Sequence, residues 1–339
     1  MKMPTDWALL EGRSPLRVSV VVPSAGRPAL LDRCLAALVR QSIDLTSFEI
    51  IVVDDAPSAE TRAVVMRWVR RMLGYGLLIG YVASFGPHGP AAARNRGWRS
   101  AAAALIAFTD DDTVPGTQWL EKALQAFADP TLDAAWGRIV MPLPAEVTEY
   151  ELDAQGLERA EFATANCFCR KRWLERIGGF DERFELASRE DADLYFRLLG
   201  ARARVVPLPA ALVLQPLQAA PWGNCLRQQR KVMFDALLYK KHPLLYRQKI
   251  RSTPRWDYYL MVIMLVTALL GAGFGQPLPA FAAGGAWLAL TALFCRQRLR
   301  HTSKSPRHVA EMIVTSALIP PLAVFWRAIG ALRFRVRFA

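Results

Sequence analysis

The chain has 339 residues, with 43 lysines and arginines against 30 aspartates and glutamates, a net charge of +13, and a hydrophobic share of 53%. The length allows one sizeable domain and an appendage. High charge beside high hydrophobicity is unusual for a soluble enzyme and directs attention to a membrane or a polyanion as partner. The five cysteines are an odd number without paired CxxC motifs, which argues against a disulfide framework and a cysteine zinc site. Met1 to Arg17 lacks the apolar core of a signal peptide. We therefore expect reduced, structural thiols and a cytosol-facing catalytic part.

Arg17 to Pro23 is a β-branched apolar run that reads as a buried strand, followed by the turn Ser24-Ala25-Gly26-Arg27-Pro28. Leu30, Leu31, Cys34, Leu35 and Leu38 then recur at helical spacing. Phe48 to Val53 is a second buried strand ending in Asp54-Asp55, Glu60 to Leu73 an amphipathic helix, and Leu77 to Ala83 a third strand. This alternation predicts a mostly parallel α/β sheet with right-handed crossovers. After the breaker cluster Gly86 to Pro90, a helix over Ala91 to Ala104 carries Arg94, Asn95, Arg96 and Arg99. The apolar run Ala101 to Phe108 leads into Asp110-Asp111-Asp112. Further on, the pattern predicts a helix at 119–127, a strand at 134–141, and a mobile loop or short helix over the polar stretch 142–160. Phe162 to Cys169 is strand-like. Glu190-Asp191-x-Asp193 opens a helix, and Arg204–Pro207 and Ala211–Gln215 read as closing strands.

The composition changes after Pro216. Residues 222–255 form a basic, helix-prone segment with interleaved aromatics, which suits an anionic leaflet better than nucleic acid because membrane-like sequence follows directly. Tyr258–Phe274 and Pro277–Cys295 carry no charge, and each is near the length needed to span a bilayer. Basic flanks on both sides predict a tight helical hairpin with both ends in the cytoplasm. In the third apolar segment, 309–326, Pro320-Pro321 is expected to break a helix, and the tail adds four arginines. That pattern favours a re-entrant or interfacial element over a third span. The expected domains are a catalytic part over 1–216, a basic juxtamembrane segment over 217–255 and a membrane region over 256–339.

Two acidic strand ends, Asp54-Asp55 and Asp110-Asp111-Asp112, project to one edge of a parallel sheet, where open α/β folds bind ligands. Three adjacent carboxylates repel one another and call for a cation, and oxygen-only donors suit Mg²⁺ or Mn²⁺. The plainer alternative is a solvated acidic turn with Asp112 or Thr113 as a cap. Carboxylates for a metal, arginine for a diphosphate and a further carboxylate at 190–193 for proton abstraction make a transfer site for a nucleotide-activated group. The GxxxxGK[ST] loop of nucleotide-triphosphate enzymes is missing.

With these residues in view, the chain resembles the family 2 glycosyltransferases of GT-A fold, in their membrane-anchored bacterial form with C-terminal transmembrane helices. The resemblance rests on Val20 to Arg27, Val52 to Asp55, Ala93 to Gly97, Phe108 to Asp112, Gly178 to Phe184 and Arg189 to Leu194, in the family's order over roughly 17–216. It implies a donor site formed by Pro23, Ser24, Arg27, Asp54, Asp55, Arg94, Asp110 and Asp111. Asp110 and Asp112 would meet a divalent cation (Mn²⁺ or Mg²⁺). Asp191 would be the general base of an inverting transfer. Asn166, Trp173, Phe180 and Glu190 are expected on the acceptor side, though Glu190 reads equally well as a helix-start carboxylate. The donor would be a UDP-, GDP- or dTDP-sugar, the acceptor a lipid or cell-envelope glycan, and the place the inner face of the plasma membrane, with anionic lipid and no nucleic acid as partner. Gln215 stands where many relatives carry a histidine. The QxxRW motif of processive synthases is absent, so single-sugar addition is expected. The alternative is a non-catalytic membrane scaffold that keeps a nucleotide-sugar-binding fold.

Overall fold

The computed structural model describes residues 15–218 and 220–338. Most of the stretch read for a signal peptide therefore lies outside the described residues. The chain forms two compact units. The first runs to Met141 and resumes over Ala160–Pro216; the second combines Pro142–Arg159 with the chain from Leu217 onward.

In the first unit, β1 (Val18–Ser24) and β2 (Phe48–Asp54) are β-branched runs buried almost throughout. Val18, Val20, Val22, Ile50 and Val52 share one core with α1 (Pro28–Leu38), α2 (Ala59–Met72) and residues of α4 (Trp119–Ala126). Burial of that kind stabilises by about 1.5–3 kcal/mol for each large aliphatic side chain. The opposite face is met by α3 (Pro90–Ser100), whose Gly97 lies directly on Val21 and Val53. The other elements of this unit are β3 (Leu78–Ala83), β4 (Leu105–Thr109), β5 (Val114–Pro115), β6 (Ala134–Val140), β7 (Asn166–Arg170), α6 (Lys171–Ile177), α7 (Glu190–Gly200) and β8 (Val205–Leu214). The eight strands lie in the order β3-β2-β1-β4-β7-β6-β8-β5. β1 to β4 are mutually parallel and β6 is parallel to β8; β7 is antiparallel to both its neighbours, and β5 to β8.

Several boundaries differ from those read off the sequence. Strand β4 begins only at Leu105, because the amides of Ala102 and Ala103 are taken by the side chains of Glu49 and Ser19 rather than by a ladder. Phe162, expected in a strand, has φ 57° and stacks on Tyr195 at 5.5 Å. The two closing strands are one, β8, with an irregularity opposite Gly137/Arg138.

In the second unit, α5 (Glu149–Gln155) is nucleated by a capping box between Thr148 and Glu151. The basic segment is broken into α8 (Asn224–Gln228), α9 (Met233–Lys241) and α10 (Pro243–Leu245) rather than one helix. Helices α11 (Trp256–Gly273) and α12 (Pro277–Arg298) pack against one another and are joined at Gly275, which has φ +65°. At about 1.5 Å per residue they are about 27 and 33 Å long. Leu260, Ile263, Val266, Leu269, Leu278, Phe281 and Leu293 are left exposed on them. Helix α13 (Pro306–Arg333) is continuous through Pro320-Pro321, which overturns the expected break and with it a re-entrant turn. Proline is tolerated in apolar helices where neighbouring helices and hydroxyl side chains take up freed backbone groups, and Pro320 is buried in this unit. Three helices are thus long and apolar enough to cross a membrane.

Candidate functional site

The parallel register sets Ser24 beside Asp54 and Val21 beside Phe108, so the ends of β1, β2 and β4 share one edge. Asp54 is buried and accepts from the Ala56 and Ser58 amides and from the Tyr81 hydroxyl at 2.9 Å. It closes its own turn. Asp55 is freer and holds the following loop, accepting from the Gly89 amide at 2.6 Å and the Ser84 hydroxyl at 3.1 Å.

The three consecutive aspartates point three ways. Asp111 is fully buried, accepts from the Ser24 hydroxyl at 2.8 Å, and is ion-paired with Arg27. It faces inward as an anchor for the first turn. Burial pushes its carboxyl up to about 6, against the pull of Arg27 and Ser24. Asp112 is half-buried, lies 3.3 Å from Arg27 and accepts at 3.1 Å from Gln215 Nε2. Burial, then the charge of Asp110, raises its pKa. Asp110 accepts from Arg94 Nη2 at 2.7 Å, and its carbonyl is held by the Thr113 hydroxyl at 2.7 Å.

Arg94 is 3% exposed, and its other terminal nitrogen, Nη1, donates to Glu190 Oε1 at 3.1 Å. Glu190 is the first residue of α7, with Asp191 next to it. Burial and the neighbouring Asp191 push Glu190 up to about 7, and burial also raises Asp191. The Asp191 carboxylate accepts from the Ala192 amide at 2.7 Å. Arg94 therefore joins the aspartate turn after β4 to the acidic start of α7, a link that spacing alone does not reveal.

Three of the residues expected on the acceptor side belong to the core. Asn166 is fully buried and saturated: it donates to the carbonyls of Arg138 and Ala211 and accepts from Trp119 Nε1 at 2.8 Å. It bridges the irregular part of β8. Trp173 is buried under Arg176, and Phe180 meets Phe108 edge-on at 5.3 Å. Pro23 lies inside β1, with its ring in a fully buried stretch.

The donor set suits a hard divalent cation. Asp110 and Asp112 offer carboxylate oxygens at the half-exposed edge, and the buried Gln215 Oε1 beside Asp112 has no partner. Burial, then the charge of Asp110, raises Asp112, an effect that added positive charge would relieve. Among the described residues no three histidine, cysteine or acidic side chains form a cluster sufficient for a metal, so such an ion would keep water or phosphate oxygens as ligands.

Two family models match the chain. The model for glycosyl transferase family 2 matches residues 19–180, and that for glycosyl transferase family group 2 matches residues 105–327. The chain belongs to the family 2 glycosyltransferases. Among curated relatives, the validoxylamine A glucosyltransferase of Streptomyces hygroscopicus is 31% identical over 227 residues, covering 53% of this chain and 51% of the relative. The pre-mycofactocin glycosyltransferase of Mycobacterium tuberculosis is 31% identical over 219 residues, covering 60% and 43%. The chain thus spans about half the length of these relatives. A mannosyltransferase from Pyrobaculum calidifontis, solved with GDP-Man and Mn²⁺, aligns with a TM-score of 0.58 and 20% identity over 93% of this chain and 90% of its own. That likeness establishes the GT-A type of fold in this family 2 chain.

Proposed function

We propose that this family 2 glycosyltransferase moves a sugar from a nucleotide-sugar donor to an acceptor hydroxyl with inversion. The observation that carries this reading is the meeting, through Arg94, of the Asp110–Asp112 turn with the Glu190-Asp191 helix start. Ser24, Arg27 and Asp55 border the donor end. Asp191 accepts the proton of the acceptor hydroxyl while its oxygen bonds to the anomeric carbon. The bond from that carbon to the diphosphate oxygen breaks, and the nucleoside diphosphate leaves. The half-buried setting that raises Asp191 makes it a stronger base than a solvated aspartate. Asp110, Asp112 and the Gln215 carbonyl would hold a divalent cation, which when bound supplies Lewis-acid stabilisation of the departing diphosphate. The Pyrobaculum calidifontis mannosyltransferase carries GDP-Man and Mn²⁺ on the same type of fold.

The helices support a membrane setting, with the catalytic domain over 1–216 on the cytoplasmic side and a lipid or lipid-linked acceptor. The hairpin α11–α12 is the spanning element. Helix α13 reads better as interfacial. The basic segment runs alongside it: Gly223 bonds to Glu311, Asp235 pairs with Arg327 at 4.0 Å, and Gly330 lies on Met233. If α13 crossed the bilayer, Arg227, Arg230 and Lys231 would be carried in with it, at a cost of about 2.5–3.5 kcal/mol each. Arg298, at the end of α12, meets the middle of α13 at Thr315 and Ser316 and pairs with Glu149 at 2.5 Å.

The test is release of nucleoside diphosphate from UDP-, GDP- and dTDP-sugars by detergent-solubilised protein with Mn²⁺ or Mg²⁺ and membrane lipid extract. Turnover with one donor, lost in Asp112→Ala, in Asp191→Asn and with chelator, is the expected result. Donor binding without turnover in the presence of the full lipid extract would favour a scaffold. Equal turnover on soluble acceptors would remove the lipid assignment.

A further inference from the structure

We propose that Arg94 and Glu190 form a positioning bridge that holds the general base Asp191 in place relative to the donor-side Asp110. The inference rests on the assignment of Asp191 as base made above. Three observations carry it beyond a simple ion pair.

The first is the way α7 begins. Its N-cap residue, Arg189, sits at φ 71° and its side chain caps no amide; the Ala192 amide in the first turn is taken by Asp191 itself. A helix start whose N-cap side chain makes no bond is held less firmly than a capped one. The tether from Glu190 to Arg94 anchors this turn instead. Glu190 and Asp191 are consecutive on a helix, about 100° apart around its axis. Fixing the azimuth of one therefore fixes the other.

The second is that the guanidinium has little room to withdraw. It lies 5.8 Å from the centre of the Phe180 ring. Phe180 is itself clamped by Asn95, whose Oδ1 accepts from the Phe180 amide at 2.8 Å and whose Nδ2 donates to the Phe180 carbonyl at 2.9 Å. Arg94 and Asn95 are neighbours on α3, so one helix supplies both the cation and the latch beneath it.

The third is energetic. Arg94 and Glu190 are 3% and 4% exposed, and Arg94 Nε is buried without a partner. A buried ionic pair with an unsatisfied nitrogen is poor at raising stability, and apolar side chains of like volume often serve stability better. What it supplies is geometry. The planar fork of arginine presents two fixed pairs of donors, so Asp110 and Glu190 are held at a set separation, which a lysine cannot impose. Both are positioning residues; Asp191 remains the catalytic one.

The experiment compares Glu190→Ala, Glu190→Gln, Arg94→Lys and Asp191→Asn in the transfer assay, using the nucleotide sugar that turns over in the donor panel. Affinity for the nucleoside diphosphate of that donor, with Mn²⁺, is measured by calorimetry, and folding by thermal melting. Glu190→Ala and Arg94→Lys are expected to lower kcat by about 10- to 100-fold, the scale of a displaced reacting group. In Glu190→Ala, diphosphate affinity should stay within about threefold, because the loss belongs to kcat. Glu190→Gln keeps an oxygen acceptor for Nη1 and should recover to within about fivefold of the wild type. A kcat for Glu190→Ala within about twofold of wild type overturns the bridge. So does a Glu190→Gln variant as inactive as Asp191→Asn with diphosphate affinity intact, since Glu190 would then itself be the base. If Glu190→Ala fails to fold, the order of the other two decides: a bridge needs Glu190→Gln to outperform Arg94→Lys, and the reverse order overturns it. Retained transfer by Asp191→Asn instead removes the base assignment, independently of what the Glu190 variants do.

Discussion

Arg27 shows how one side chain shapes the resting cleft. It spans Asp111 and Asp112, and it is the only cation ion-paired to the fully buried Asp111 among the described residues. Arg27→Met is expected to lower stability by about 1–2 kcal/mol, the half-exposed guanidinium being screened by solvent. Asp111→Asn in the same chain should restore most of that loss, and thermal melting of the two single variants and the double variant reads the coupling. Glu190 brings a pH dependence of definite sign. Its carboxyl is raised from an ordinary 4.5 to about 7, so the folded state binds the proton more tightly than the unfolded chain. That contribution is complete below pH 4.5 and is lost as pH rises through about 7. The melting temperature of Glu190→Gln, which stays neutral, should therefore gain on the wild type between pH 5 and pH 8. A constant difference across that window would contradict the raised carboxyl. None of this was legible from composition. The motif Asp110-Asp111-Asp112 announced charge, but only the turn geometry separates an inward anchor from two edge carboxylates. Arg94 was visible as an arginine near a helix start, yet its second partner lies 96 positions away.

At the level of helices and strands, periodicity located β1, β2, α1 and α2 because their buried faces follow simple repeats. It missed a boundary where side chains replaced a ladder, as at Ala102 and Ala103, and it located β7 without revealing that this strand runs antiparallel. Asn166 is a related case, buried with partners on three elements. A buried asparagine with three partners looks, in sequence, like one waiting for a ligand. The crossing of α3 over the sheet permits a sharper expectation. A Cβ at Gly97 would collide with Val21 Cγ1 and come within 3.1 Å of Val53 Cγ2. Gly97→Ala should cost about 1–3 kcal/mol, the usual range for overpacking a core, despite the better helix propensity of alanine. An unchanged melting temperature would mean that α3 is seated less closely than described. Helix α13 is the converse case: Pro320-Pro321 read as a break, and the helix runs through.

For the protein as a whole, the combination of basic segments and an uncharged hairpin was plain in the sequence, whereas the path of α13 beside the basic segment was not. The interfacial reading of α13 makes a topological prediction. In intact cells, a single cysteine placed at Gln276 should react with a membrane-impermeant maleimide. One at Ser303 or Phe338 should react only after permeabilisation. Labelling of Phe338→Cys in intact cells would turn α13 into a third span. The link between α11 and α12 also bears on how the protein enters the bilayer. Only Phe274, Gly275 and Gln276 lie between the two helices, and none is charged. On the proposed membrane placement, insertion would need no polar segment between the two helices to be translocated, and the sheet domain would stay on the side proposed for it.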